Sequence, residues 1–78
     1  MLNAIAAILA QHGTVTYGLG TLHFNGMPVA YRRNGAIVLC PLDRGEGNWM
    51  SAKTTHASAE IAAADILWRV SECKPVAA

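Results

Sequence analysis

Charge is scarce in this chain. Of 78 residues, six are lysine or arginine and five are aspartate or glutamate, which leaves a net charge of +1. A dedicated nucleic-acid binder shows a basic stripe and a high pI. Here only Arg32 and Arg33 adjoin, so direct nucleic-acid binding is not expected from the overall charge. Cysteine is scarcer, with only Cys40 and Cys73. Two distant thiols make no disulfide scaffold, and a zinc site needs four ligands, often in short Cys-x-x-Cys pairs. His12, His23 and His56 are also far apart, so neither a metal nor any other cofactor is expected. Long apolar runs are missing too. The apolar stretch over residues 2–10 falls well short of the roughly 20 residues of a membrane span, and no basic segment precedes it. It reads as a helix rather than a signal, and the thiols read as reduced. A cytoplasmic location is expected.

What is present is apolar: 53% of the residues are hydrophobic. At this length a single domain is expected over 1–78, with 74–78 as a flexible tail. Such a small domain buries only about 60% of its unfolded surface. A high apolar fraction on a small chain leaves apolar surface exposed, and exposed apolar surface points to a partner.

The strongest local signals are two Asn-Gly pairs, Asn25-Gly26 and Asn34-Gly35. Asn-Gly favours the type I′ hairpin turn, in which both central residues take positive φ. The pairs predict a three-stranded meander over 14–24, 27–33 and 36–41. Gly18 and Gly20 mark a bend inside the first strand, with 21–24 as its ordered part. A helix is expected over residues 2–11, closed by Gly13 as a left-handed cap. A second helix is expected to start at Ser51, Thr54 or Thr55 and to run to about Cys73, since Pro75 prevents continuation. The fold class is therefore α+β, with an αβββα order and both helices on one face of the sheet. Unbroken alternation puts Leu22, Phe24, Met27, Val29, Tyr31, Val38 and Cys40 under the helices. It puts His23, Pro28, Ala30, Arg32, Ile37 and Leu39 on the outer face.

The second helix carries two apolar stripes where a surface helix has one. Ala59, Ala62, Ala63, Ile66, Val70 and Cys73 suit packing on the sheet. Ala57, Ile61, Ala64 and Trp68 then need another partner. With Ile37 and Leu39 they suggest self-association, most simply a homodimer. The loop over 41–50 offers charge, glycine flexibility and Trp49. The expected partner-binding residues are Asp43, Arg44, Glu46, Trp49, Ile61, Asp65 and Trp68, because loops on rigid scaffolds carry binding and tryptophan dominates interface energetics. An alternative nucleic-acid set is Arg32, Arg33, Arg44 and Lys53. Cys73 is a candidate for an intermolecular disulfide, and Cys40 ends an apolar strand as a core residue. No nucleophile–base pair or metal cluster is apparent, so no catalytic residue is assigned and the chain is not expected to be an enzyme.

The order helix, three strands, helix is similar to the double-stranded-RNA-binding domain. The likeness includes Gly45-Glu46-Gly47 before the last helix and Ala62-Ala63 with Ile66-Leu67 inside it. That family grips phosphates through lysines at the start of the last helix; the matching stretch here, Thr55-His56-Ala57-Ser58-Ala59, has only Lys53 upstream. It implies a small nucleic-acid-binding regulator as the alternative function. In type, the chain also resembles small phage or mobile-element inhibitors of host defence, such as the anti-CRISPR proteins. These too are short, single-domain, cysteine-poor and without catalytic motifs. That resemblance implies a non-enzymatic inhibitor that sterically blocks DNA or target engagement by a host protein or ribonucleoprotein complex.

Overall fold

Three turns of nearly identical backbone geometry organise the chain. The two Asn-Gly pairs take φ of 51° and 81°, and 52° and 79°. A third turn, Leu19-Gly20, matches them at 53° and 78°. These are the positive-φ pairs of type I′ hairpins. The computed structural model describes residues 1–73; the expected tail over 74–78, with Pro75, lies outside the described residues.

The turns connect four antiparallel strands, β1 (Val15–Gly18), β2 (Thr21–Phe24), β3 (Met27–Arg33) and β4 (Ala36–Leu39). After them come a short hairpin, β5 (Leu42–Asp43) with β6 (Trp49–Met50), then β7 (Lys53–Thr55). β7 pairs with β4 and completes a five-stranded sheet in the order β1-β2-β3-β4-β7. The helices are α1 (Leu2–Leu9) and α2 (Ala59–Ser71). The fold is thus α+β, but the expected three-stranded meander is only the centre of a larger sheet. Residues 14–24 split at Leu19-Gly20 into two strands. Residues 53–55 form an edge strand, so α2 starts later than expected. Its N-cap is Ser58, whose hydroxyl accepts from the Ile61 amide at 3.4 Å. Ser51, Thr54 and Thr55 are not caps.

The core lies between the helices and one sheet face. Ile5 and Leu9 of α1 and Ala62, Ala63 and Ile66 of α2 pack with Leu22, Phe24, Val29, Ala30, Ile37 and Leu39. This differs from the alternation expected from the sequence. Leu22 pairs with Ala30 but His23 pairs with Pro28, which leaves Val29 as an extra residue in a β-bulge. A bulge shifts the face of every residue beyond it. Val29 and Ala30 are consecutive and both buried. Past the bulge the assignment inverts. Ile37 and Leu39 enter the core and are not available for self-association, while Tyr31 and Val38 move to the outer face.

Gly13 also differs from its expected role. It is not among the glycines with positive φ. α1 instead tightens at its end, with Gln11 and His12 amides donating to the Ile8 and Leu9 carbonyls three residues back. The third turn carries strain that the Asn-Gly turns avoid. Leu19 holds a left-handed φ with its side chain fully exposed. That conformation costs a residue with a bulky Cβ substituent roughly 1 kcal/mol or more, and asparagine tolerates it better. Leu19→Asn should therefore stabilise the domain by about 0.5–1 kcal/mol in urea unfolding. Gly26→Val or Gly35→Val should lose more than about 1 kcal/mol. Equal stability of all three variants would contradict this turn geometry.

Candidate functional site

The register of the sheet gives the molecule two ends. The β1–β2 and β3–β4 turns, the C-terminus of β7 and the start of α2 share one end. The β5–β6 hairpin lies at the other, beyond Leu39 and before Lys53. α2 runs from the turn end to the hairpin end.

The hairpin is two-faced. Leu42 pairs with Met50 and both are buried; Asp43 pairs with Trp49 and both are exposed. Its tip is closed by the Asp43 carboxylate, which accepts from the Gly45 amide at 2.8 Å. Gly45, Glu46 and Gly47 then take positive φ in succession. The glycines admit this conformation without a Cβ clash.

Three polar links fasten this region to α2. Arg69 is 93% buried, and its Nη2 donates to the Cys40 carbonyl at 3.0 Å and the Ser51 carbonyl at 2.8 Å. One nitrogen thereby joins the end of β4 to the segment after β6. Arg44 pairs with Glu72 at 3.4 Å and Lys53 with Asp65 at 2.7 Å. Exposed pairs of this kind contribute little stability, at most about 1 kcal/mol each. Their effect is to align the hairpin and β7 with one stripe of α2. That stripe runs Ile61, Asp65, Trp68, Glu72 at helical spacings of four, three and four. Ile61 is 63% exposed, Trp68 58% and Trp49 60%.

The structure thus brings together the expected partner-binding residues Asp43, Arg44, Trp49, Asp65 and Trp68 at the hairpin end, with Glu46 at the hairpin tip. Ile61 lies two turns further along the same stripe. Both tryptophans lie outside the core. The alternative basic set does not assemble. Arg32 and Arg33 lie at the turn end, whereas Arg44 and Lys53 lie at the hairpin end and are already paired with carboxylates. The first turn of α2, expected to align with the phosphate-gripping lysines of double-stranded-RNA-binding domains, presents Glu60. Arg69 was not singled out from the sequence, and neither was Glu72. The signal for Arg69 was available: it falls seven residues after Ala62 and three after Ile66, within the buried stripe.

Both thiols are held toward their protonated form. Burial pushes the Cys40 thiol above its ordinary pKa, against a smaller pull from Arg69. Burial and then the Asp43 carboxylate push Cys73 up in the same direction. The thiolate is the reactive form, so both shifts lower reactivity. Cys73 is half-buried and its thiol donates to the Arg69 carbonyl at 3.4 Å. Among the described residues, no three His, Cys, Asp or Glu side chains gather as metal ligands. No helix among them is long and apolar enough to cross a membrane.

The chain matches no protein-family profile, no curated protein and no solved structure.

Proposed function

We propose that this chain is a non-enzymatic binding protein that engages a protein partner through the exposed stripe of α2 and the adjoining hairpin. In its specific form, the partner is a host nucleic-acid-processing complex that the chain blocks sterically. One observation carries the reading: Trp68, Ile61 and Trp49 are each more than half exposed and lie on one helix stripe and the hairpin tied to it, so that large apolar side chains are grouped rather than scattered. Two ion pairs and the buried Arg69 hold these side chains on a surface that is already formed. Preorganisation of this kind lowers the ordering cost of binding.

The test pairs a stability measurement with a capture measurement. Trp68→Ala and Ile61→Ser should each change unfolding free energy by less than about 1 kcal/mol, since neither side chain is core. A central tryptophan contributes about 2 kcal/mol or more at an interface. Trp68→Ala should therefore weaken capture of the partner from host lysate by about 30-fold. Light scattering at micromolar concentration reads whether that partner is a second copy; a monomer of 8.3 kDa assigns the surface to a foreign protein. Folded variants that capture as well as the parent would overturn the proposal.

A further inference from the structure

The sheet has a second face that neither α1 nor α2 covers. Beyond the Val29 bulge, Tyr31 and Arg33 point away from the core. With Ala36, Val38, Ala52 and Thr54 they line an open groove of about 420 Å³, closed at the turn by Asn34. Tyr31 pairs with Val38, which pairs with Thr54, so the groove crosses three strands. The same row continues through Thr21 to Gly18. Four strand spacings of about 4.8 Å make it roughly 19 Å wide.

The charge of this face differs from that of the whole chain. All five acidic side chains lie on α2, at its C-cap Glu72 or in the β5–β6 hairpin. None lines the groove. Arg32 and Arg33 form no ion pair or side-chain hydrogen bond with another described residue, unlike Arg44, Lys53 and Arg69. Arg32 pairs with the core residue Ile37 and so faces the helix side, and Glu60 opens α2 at the same end, so the groove's own charge is the single cation Arg33 with no carboxylate in its lining.

We propose that this groove binds a short single-stranded nucleic acid, with a base stacked on Tyr31 and its phosphate on Arg33. A cationic track beside an aromatic ring is how proteins hold single strands without reading sequence. The small floor of Ala36 and Val38 admits a planar base, and the Asn34 amide offers both donors and acceptors to its edge. An acidic peptide would satisfy Arg33 and leave Tyr31 without a stacking partner. A duplex, with its bases already stacked on each other, would do the same. This inference stands independently of the protein-binding surface, which lies on the helix side.

Fluorescence anisotropy with a labelled ten-nucleotide single strand at 50 mM salt tests it. Saturable binding is expected, weakening as salt rises with a log–log slope near −0.7 for roughly one phosphate contact. Arg33→Ala and Tyr31→Leu should each weaken it at least fivefold. Tyr31→Leu keeps apolar cover over the sheet and removes only the stacking. Ala52→Glu, at an exposed wall position, should abolish binding while leaving the fold intact by circular dichroism. Arg44→Ala and Trp68→Ala should leave it within twofold. No saturable signal at 100 µM protein would overturn the proposal. So would equal binding of a duplex, equal competition by polyglutamate or by inorganic phosphate, or equal loss in Arg44→Ala. The protein-binding surface is read separately by Trp68→Ala in the capture assay, so either proposal can fail without the other.

Discussion

Arg69→Met should destabilise the domain by about 2–3 kcal/mol and release the β5–β6 hairpin. Burying a cation is costly, and replacing a buried charge by an apolar side chain is often neutral or better. Two bonds shift the balance here. Hydrogen bonds to charged groups contribute about 1.5–3 kcal/mol each, and a buried carbonyl stripped of its donor costs about 1–3 kcal/mol. Methionine strips the buried Cys40 carbonyl of its Arg69 donor, whereas the Ser51 carbonyl, on an exposed residue, can turn to water. The recovered desolvation offsets part of that loss and not all of it. Arg69→Lys should fall between parent and methionine, because an ammonium keeps the charge but lacks the planar fork. Urea unfolding gives the free energies. Hydrogen exchange at Arg44 and Asn48, whose amides close the hairpin, gives the local effect. A methionine variant as stable as the parent, with those amides still protected, would show that the hairpin is held by packing alone.

Gly13→Ala should cost about 1–2 kcal/mol. A Cβ at this position would sit 2.6 Å from the Asn25 Oδ1 and 2.8 Å from the Phe24 ring. Neither neighbour gives way easily. Phe24 is buried in the core, and Asn25 is held to Thr14 by reciprocal bonds of 2.8 Å. Overpacking of a well-filled site typically costs 1–3 kcal/mol. The entropy that alanine removes from the unfolded chain returns about 0.4–1 kcal/mol, so the net remains a loss. Gly18→Ala is the control, since its nearest neighbour is the His23 ring at 3.3 Å, and it should cost clearly less. Phe24→Leu should relieve part of the clash, so the double variant should be more stable than the sum of its parts allows. Simple additivity in that cycle would show that Phe24 is not what excludes the methyl group.

The parts legible in the sequence were those governed by neighbours in the chain. Asn25-Gly26 and Asn34-Gly35 specify their turns because the conformational preference belongs to the two residues themselves. The Ile5–Leu9 and Ala62–Ile66 spacings place core residues because helical periodicity is local. Leu19-Gly20 was opaque for the same reason, since leucine does not favour the geometry it adopts. β7 was opaque because Lys53-Thr54-Thr55 has no strand pattern of its own and becomes a strand by pairing with β4. For the candidate surface, spacing along α2 was enough to separate Ile61 and Trp68 from the packed stripe.

Tertiary structure decided the rest. Alternation along a strand has no memory of a bulge, and one extra residue at Val29 exchanged the two faces of the sheet from Ala30 onward. That exchange buried Ile37 and Leu39 and turned Tyr31 outward beside Arg33. Composition likewise reports only a sum of charges. Folding sorted them, with Asp43, Glu46, Asp65 and Glu72 gathered on α2, its C-cap and the hairpin, and Arg33 set in a groove that no carboxylate lines. By itself the sequence determined the two Asn-Gly turns, the helical periodicities and the exposed stripe of α2, because each depends on residues a few positions apart. Which surfaces face each other, and which charges pair, depends on contacts across tens of residues, and only the packed chain brings those together.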